Sequence, residues 1–115
     1  MSNKKIYKLF ATPVFECKLD NFENLNLELE KYIYNLKKED EKGLKLSNGG
    51  GGWHSPYFEI TKSEVVKEFL NLLSPHLFEI ITKDYGWKCN PEQIRFEGMW
   101  SVINTKNSYN IRHFH

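Results

Sequence analysis

Four consecutive glycines, residues 49–52, constrain this chain more than any other feature. Glycine loses more conformational freedom on folding than any other residue, so an unbroken run is costly inside a helix or a regular strand. The run closes a segment, EDEKGLKLSNGGGG (39–52), in which hydrophobic periodicity dissolves. Residues 40–52 therefore read as a flexible loop, with a lid over a site as the sharper alternative. They do not read as a phosphate-binding P-loop, because no Gly-Lys-Ser/Thr follows and no helix begins there. The chain on either side is ordinary globular material, and 115 residues leave room for one domain, 1–115.

Two amphipathic stretches flank that loop. Before it, Asp20 or Asn21 can cap a helix whose apolar stripe is Leu25, Leu29, Tyr32 or Ile33, and Leu36. Its charges run acidic then basic, which suits the helix dipole. After it, Thr61 and Glu64 form a Thr-x-x-Glu capping box that announces a second helix. The stripe of that helix is Val65, Val66, Phe69, Leu70, Leu73, Leu77, Ile80 and Ile81. Pro75 predicts a kink, or a restart with Ser74 as cap, and His76 reads as structural. Gly86 ends the helix.

The remaining segments alternate with the period of strands. Residues 6–19 read as strand, broken at Thr12-Pro13, with Phe15, Cys17 and Leu19 sharing a core-facing side. The segment 52–58, Gly-Trp-His-Ser-Pro-Tyr-Phe, reads as a short strand or irregular extended chain. From 94 to 103 the alternation places Ile94, Phe96, Trp100 and Val102 on one face. Arg95, Glu97, Met99, Ser101 and Ile103 take the other. A polar turn at 104–108 leads to a second strand, 109–115.

Composition excludes several classes. Apolar residues (40%) are too frequent for a disordered chain, and charged residues (27%) interrupt them too often for a membrane span. A net charge of +1 calls for neither nucleic acid nor an anionic membrane. Of the sixteen basic residues only Arg95 and Arg112 are arginines, the usual choice for planar anion recognition. Cys17 and Cys89 form no CxxC, and no disulfide is expected between them. The start, MSNKKIYKLF, has no signal-peptide pattern, so a cytoplasmic location is expected.

Chemistry concentrates in the last residues, Arg-His-Phe-His. On a strand, His113 and His115 point to one face about 6.5–7 Å apart at Cα, where two imidazoles can lean onto one metal ion. Imidazole suits iron, zinc, copper and nickel alike. Phe114 points the other way and can anchor the strand. A terminal pair of surface histidines with no ligand has the same spacing.

A strand, a polar turn and a second strand ending in Arg-His-x-His resemble the iron-binding corner of the 2-oxoglutarate/Fe(II)-dependent oxygenases. Further motifs lie upstream in order: Leu9-Phe10-Ala11-Thr12-Pro13-Val14, Gly52-Trp53-His54-Ser55, Trp100-Ser101-Val102-Ile103-Asn104 and Asn110-Ile111-Arg112-His113-Phe114-His115. Over nearly its whole length the chain is similar to a family of such oxygenases from marine bacteria and their phages. The resemblance implies an α+β fold, with two helices packed on the N-terminal part of an antiparallel jelly-roll (double-stranded β-helix) sheet that is incomplete. It implies Fe(II) as cofactor and 2-oxoglutarate as co-substrate, hydroxylating a small molecule or protein.

Under that resemblance His113 is the first iron ligand. His115 stands where the wider superfamily has a carboxylate, which leaves the site one negative charge short. Asn104 and Asn110 fall around the co-substrate, where their amides can hydrogen-bond a carboxylate. Trp53 and Trp100 pack or wall the pocket, and His54 has at most a rim contact. The superfamily's distal histidine and co-substrate-binding basic residue belong to later strands. The chain is therefore expected to be the N-terminal portion of a longer oxygenase, inactive alone, with an exposed sheet edge that promotes self-association. Two alternatives come from other classes: a non-catalytic interaction or phage structural domain, and a small metal-binding protein using His113 and His115.

Overall fold

A computed structural model describes residues 3–114 of the chain. The first helix, α1, spans Phe22–Glu39 and begins where Asn21 turns the chain through a left-handed conformation (φ 54°). The Asn21 side chain makes no capping bond. Glu23 in the first turn and Lys37 and Lys38 in the last complement the dipole. Leu25 is buried, and Leu29, Tyr32, Ile33 and Leu36 are half-buried along the stripe that the spacing predicts.

The second helix, α2, spans Glu64–Glu79 and is capped by Ser63, whose hydroxyl accepts the Val66 N–H at 3.4 Å. Thr61 is an exposed turn residue, so the expected capping box is displaced by two positions. The physical reason lies in the preceding turn, where Lys62 and Ser63 both donate their N–H groups to the Glu59 carbonyl and delay helix entry. Pro75 sits inside α2 without a restart, and Ser74 donates its hydroxyl to the Leu70 carbonyl instead of capping a new helix. The carbonyl left without an N–H partner belongs to Asn71, an exposed residue where water can serve it. A π-helical turn, Ile80–Asp84, continues α2 until Gly86 reverses the chain at φ 71°.

Two ladders follow the same course. Strand β1 (Asn48–Gly49) pairs antiparallel with β4 (Tyr109–Asn110), and β2 (Trp53–His54) pairs antiparallel with β3 (Val102–Ile103). The Ile111 N–H to Ser47 carbonyl bond extends the first ladder. Ser55 to Ser101 (3.0 Å) and Phe58 to Met99 (2.8 Å) extend the second. Together they form one antiparallel ribbon, interrupted where residues 50–52 face residues 104–108. Three residues oppose five, so each side bulges toward the other.

The glycine run therefore does more than space two elements. It carries one residue of β1 and then turns tightly, with the Gly52 N–H on the Gly49 carbonyl at 3.3 Å. The expected loop 40–52 thus ends in paired strand. It is also tied to β2, because the Trp53 indole N–H donates to the Asp40 carbonyl (2.8 Å) and the Leu44 N–H to the His54 carbonyl (2.9 Å).

The core lies where α1 and α2 meet the far end of the ribbon. Phe58, Val66 and Leu70 are buried at its centre, with Tyr32, Ile33, Phe69, Phe96 and Met99 packed around them. Tyr32 meets Phe58 edge to face at 5.2 Å. Phe96 and Met99 cannot share a face of a regular strand, so the alternation of 94–103 slips between them, at Glu97-Gly98. In consequence Met99, Ser101 and Ile103 turn inward with Ile94 and Phe96, while Trp100 and Val102 are exposed on the opposite face.

Residues 6–19 are not a strand. No backbone hydrogen bond among the described residues involves them, and Cys17 is exposed instead of lying in the core. Alternation supplies only a preference for extended chain; a strand also needs an edge to pair with, and none lies alongside. Phe10 is fully exposed, and Phe15 makes a tilted contact with Tyr85 at 6.0 Å. The radius of gyration, 18.6 Å, accordingly exceeds the roughly 13 Å of a compact chain of this length. The described architecture is α+β: two helices with two small antiparallel ladders. No helix among the described residues is long and apolar enough to cross a membrane.

Candidate functional site

The ribbon has two faces, and the slip in 94–103 decides what each presents. In the β2/β3 ladder Trp53 opposes Ile103 and His54 opposes Val102. Trp53, 2% exposed, turns inward, so His54 turns outward with Val102 and Trp100. His54 and Trp100 are diagonal neighbours across the ladder, and their rings stack at 6.0 Å and 16°. Tyr57 meets Trp100 edge-on at 5.6 Å.

These rings wall one side of a cleft of about 850 Å³. Leu44, Leu46, Val102, Ile111 and Phe114 supply its apolar surface; Ser47, His54, Ser55, Asn110 and His113 supply the polar groups. Behind the wall Ser55 is fully buried. It donates its N–H to the Ser101 carbonyl, accepts the Ser101 N–H at 2.9 Å, and donates its hydroxyl to the Pro56 carbonyl at 2.7 Å. Those bonds hold β2 and β3 in one register behind the aromatic rings.

Both histidines of the cleft are oriented by main-chain carbonyls. His54 Nδ1 lies 2.7 Å from the Ser55 oxygen, and His113 Nδ1 lies 2.7 Å from the Ile111 oxygen. A carbonyl only accepts, so each neutral ring carries its proton on Nδ1 and its lone pair on Nε2. Metal-binding imidazoles are commonly oriented this way, with one nitrogen donating to a carbonyl while the other binds.

The structure brings His113 and Asn110 to this cleft. Asn104 does not line it; its side chain lies against the glycine run, with Oδ1 3.2 Å from where a Cβ on Gly52 would stand. His115 lies outside the described residues. Among the described residues no group of three or more His, Cys, Asp or Glu side chains could hold a metal ion. His54, expected to make at most a rim contact, is instead 7% exposed and built into the wall. The signal was present in the sequence: a residue adjacent to an inward tryptophan on a strand must face the other way.

Comparison of the chain with protein-family models, with curated proteins and with solved structures finds no match.

Proposed function

We propose that this chain contributes a metal-ligand segment, just beyond β4, and an aromatic-walled cleft to a 2-oxoglutarate/Fe(II)-dependent oxygenase of the jelly-roll class. The observation that supports this reading best is the convergence of Asn110 and His113, on and just beyond β4, with Tyr57 and Trp100 on one cleft. It fits the order of motifs that resembles the oxygenases. The described residues do not by themselves complete an iron centre. His113, the first ligand under the resemblance, lines the cleft.

The Ile111 carbonyl orients the His113 ring through Nδ1. The Asn110 amide, at the same cleft, can donate to a carboxylate. The aromatic and aliphatic walls give the cleft an apolar lining.

The test is an anaerobic titration of a full-length version, carrying the later strands that supply the distal histidine and the basic residue, with Fe(II) and then 2-oxoglutarate, followed in the visible range. A charge-transfer band that His113→Ala abolishes is expected. Absence of the band, or a band that His113→Ala leaves intact, overturns the proposal. A second reading, a non-catalytic interaction domain, is favoured by the fully exposed Phe10 and Phe114 and the expanded shape. In that reading the band is absent.

A further inference from the structure

His54 is the only titratable side chain buried among the described residues, and the oxygenase reading gives it no task. A buried imidazole normally engages both nitrogens. Here Nδ1–H is committed to the Ser55 carbonyl, which leaves Nε2 as an acceptor. No described residue donates to Nε2. It is not sealed from the surface either, since the one sealed polar side-chain atom without a partner among the described residues is Ser101 Oγ. The open space beside His54 is the cleft, so the acceptor opens into it.

The surroundings define what such an acceptor can take. The His54 ring is stacked on Trp100, which Tyr57 meets edge-on, so the surface around Nε2 is flat and aromatic. Leu46, Val102 and Ile111 continue it as apolar wall. Among the described residues no lysine or arginine lines the cleft, and the lone-pair nitrogen of His54, unlike the Asn110 amide, offers nothing to a carboxylate or phosphate. The volume, about 850 Å³, lies within the range of small-molecule sites.

We infer that His54 is the hydrogen-bond acceptor of a binding site for a neutral aromatic small molecule that carries one ring-edge N–H or O–H donor, such as an indole or a phenol. The site needs no metal, so its existence and the oxygenase proposal stand or fall separately.

The probe is indole, compared with benzofuran, which has the same shape but an oxygen in place of the N–H. Both are titrated into the metal-free chain while the His54 ring and Trp100 indole resonances are followed by NMR. Indole shifts both sets saturably, and benzofuran binds about tenfold more weakly or worse, because it leaves Nε2 unpaired. His54→Phe keeps a flat ring but removes the acceptor, and brings the two affinities together. Equal affinity of indole and benzofuran for the unmodified chain overturns the proposal, as does no response at His54 and Trp100. Shifts that follow protein concentration and that indole does not displace assign the cleft to a second copy of the chain, and overturn it too. Where His54→Phe fails to fold, the comparison of the two probes on the unmodified chain decides.

Discussion

The interlock between the glycine run and the opposing turn makes Gly50→Ala the most informative single change in the ribbon. Gly50 has φ 65°, a left-handed conformation that costs an L-residue about 1–2 kcal/mol. A Cβ there would also stand less than 3.0 Å from the Asn107 carbonyl oxygen and 2.9 Å from Ser108 Cα. Both are main-chain atoms of a turn held by the Ser108 N–H and hydroxyl on the Thr105 carbonyl, at 3.0 and 2.7 Å. Neither can yield by rotating a side chain, so a further cost of about 1–3 kcal/mol for overpacking is expected. Gly86 supplies the control: it has φ 71°, but a Cβ there meets nothing within 4 Å. Gly86→Ala should therefore lose only the conformational part, about 1–2 kcal/mol. Urea denaturation followed by far-UV circular dichroism measures both, with equal m-values required before midpoints are compared. If Gly50→Ala and Gly86→Ala lower stability equally, the steric argument is wrong and the run is only a spacer.

Two helix predictions are checked by the same denaturation. Ser63→Ala should cost about 1 kcal/mol by removing the cap that accepts the Val66 N–H, whereas Thr61→Ala should change stability by less than about 0.5 kcal/mol; the reverse order would restore the Thr61 capping box. Pro75→Ala should raise stability by about 2 kcal/mol, the interior-helix penalty of proline less the unfolded-state entropy that it removes; a lowered midpoint would mean that Pro75 shapes a bend the core depends on.

What the sequence made legible was local. The stripes of α1 and α2 are periodic over several turns, so both helices could be read from spacing alone, although Asn21 enters α1 without the side-chain cap expected of Asp20 or Asn21. Residues 6–19 show the limit of that reasoning. Their alternation is as regular as that of 94–103, yet only the latter finds a partner, because pairing depends on chain brought in from elsewhere. The displaced cap at Ser63 shows it on a smaller scale: two N–H groups converging on one carbonyl decided the helix start, and no residue type announces that. At the site, the spacing of His113 made it a candidate, and it does line the cleft with Asn110. Asn104, equally plausible as a turn amide, faces the glycines because the ribbon bulges there.

The placement of His54 joins stability to function in this ribbon. Strand side chains alternate strictly, so a one-residue slip between β2 and β3 would turn Trp53 toward the cleft and His54 toward the core. Each ladder is only two residue pairs long, too short to hold its register by itself. The register is fixed at the points where the ladders cannot slide. One is the three-against-five interruption, where Gly50 fits under the Asn107 carbonyl; the other is the reciprocal Ser55 and Ser101 bonding. The glycine run that interrupts the hydrophobic pattern therefore helps set the orientation of the site. Together with the Ser55 and Ser101 bonds, that close approach presents an imidazole, rather than an indole, at the position stacked on Trp100.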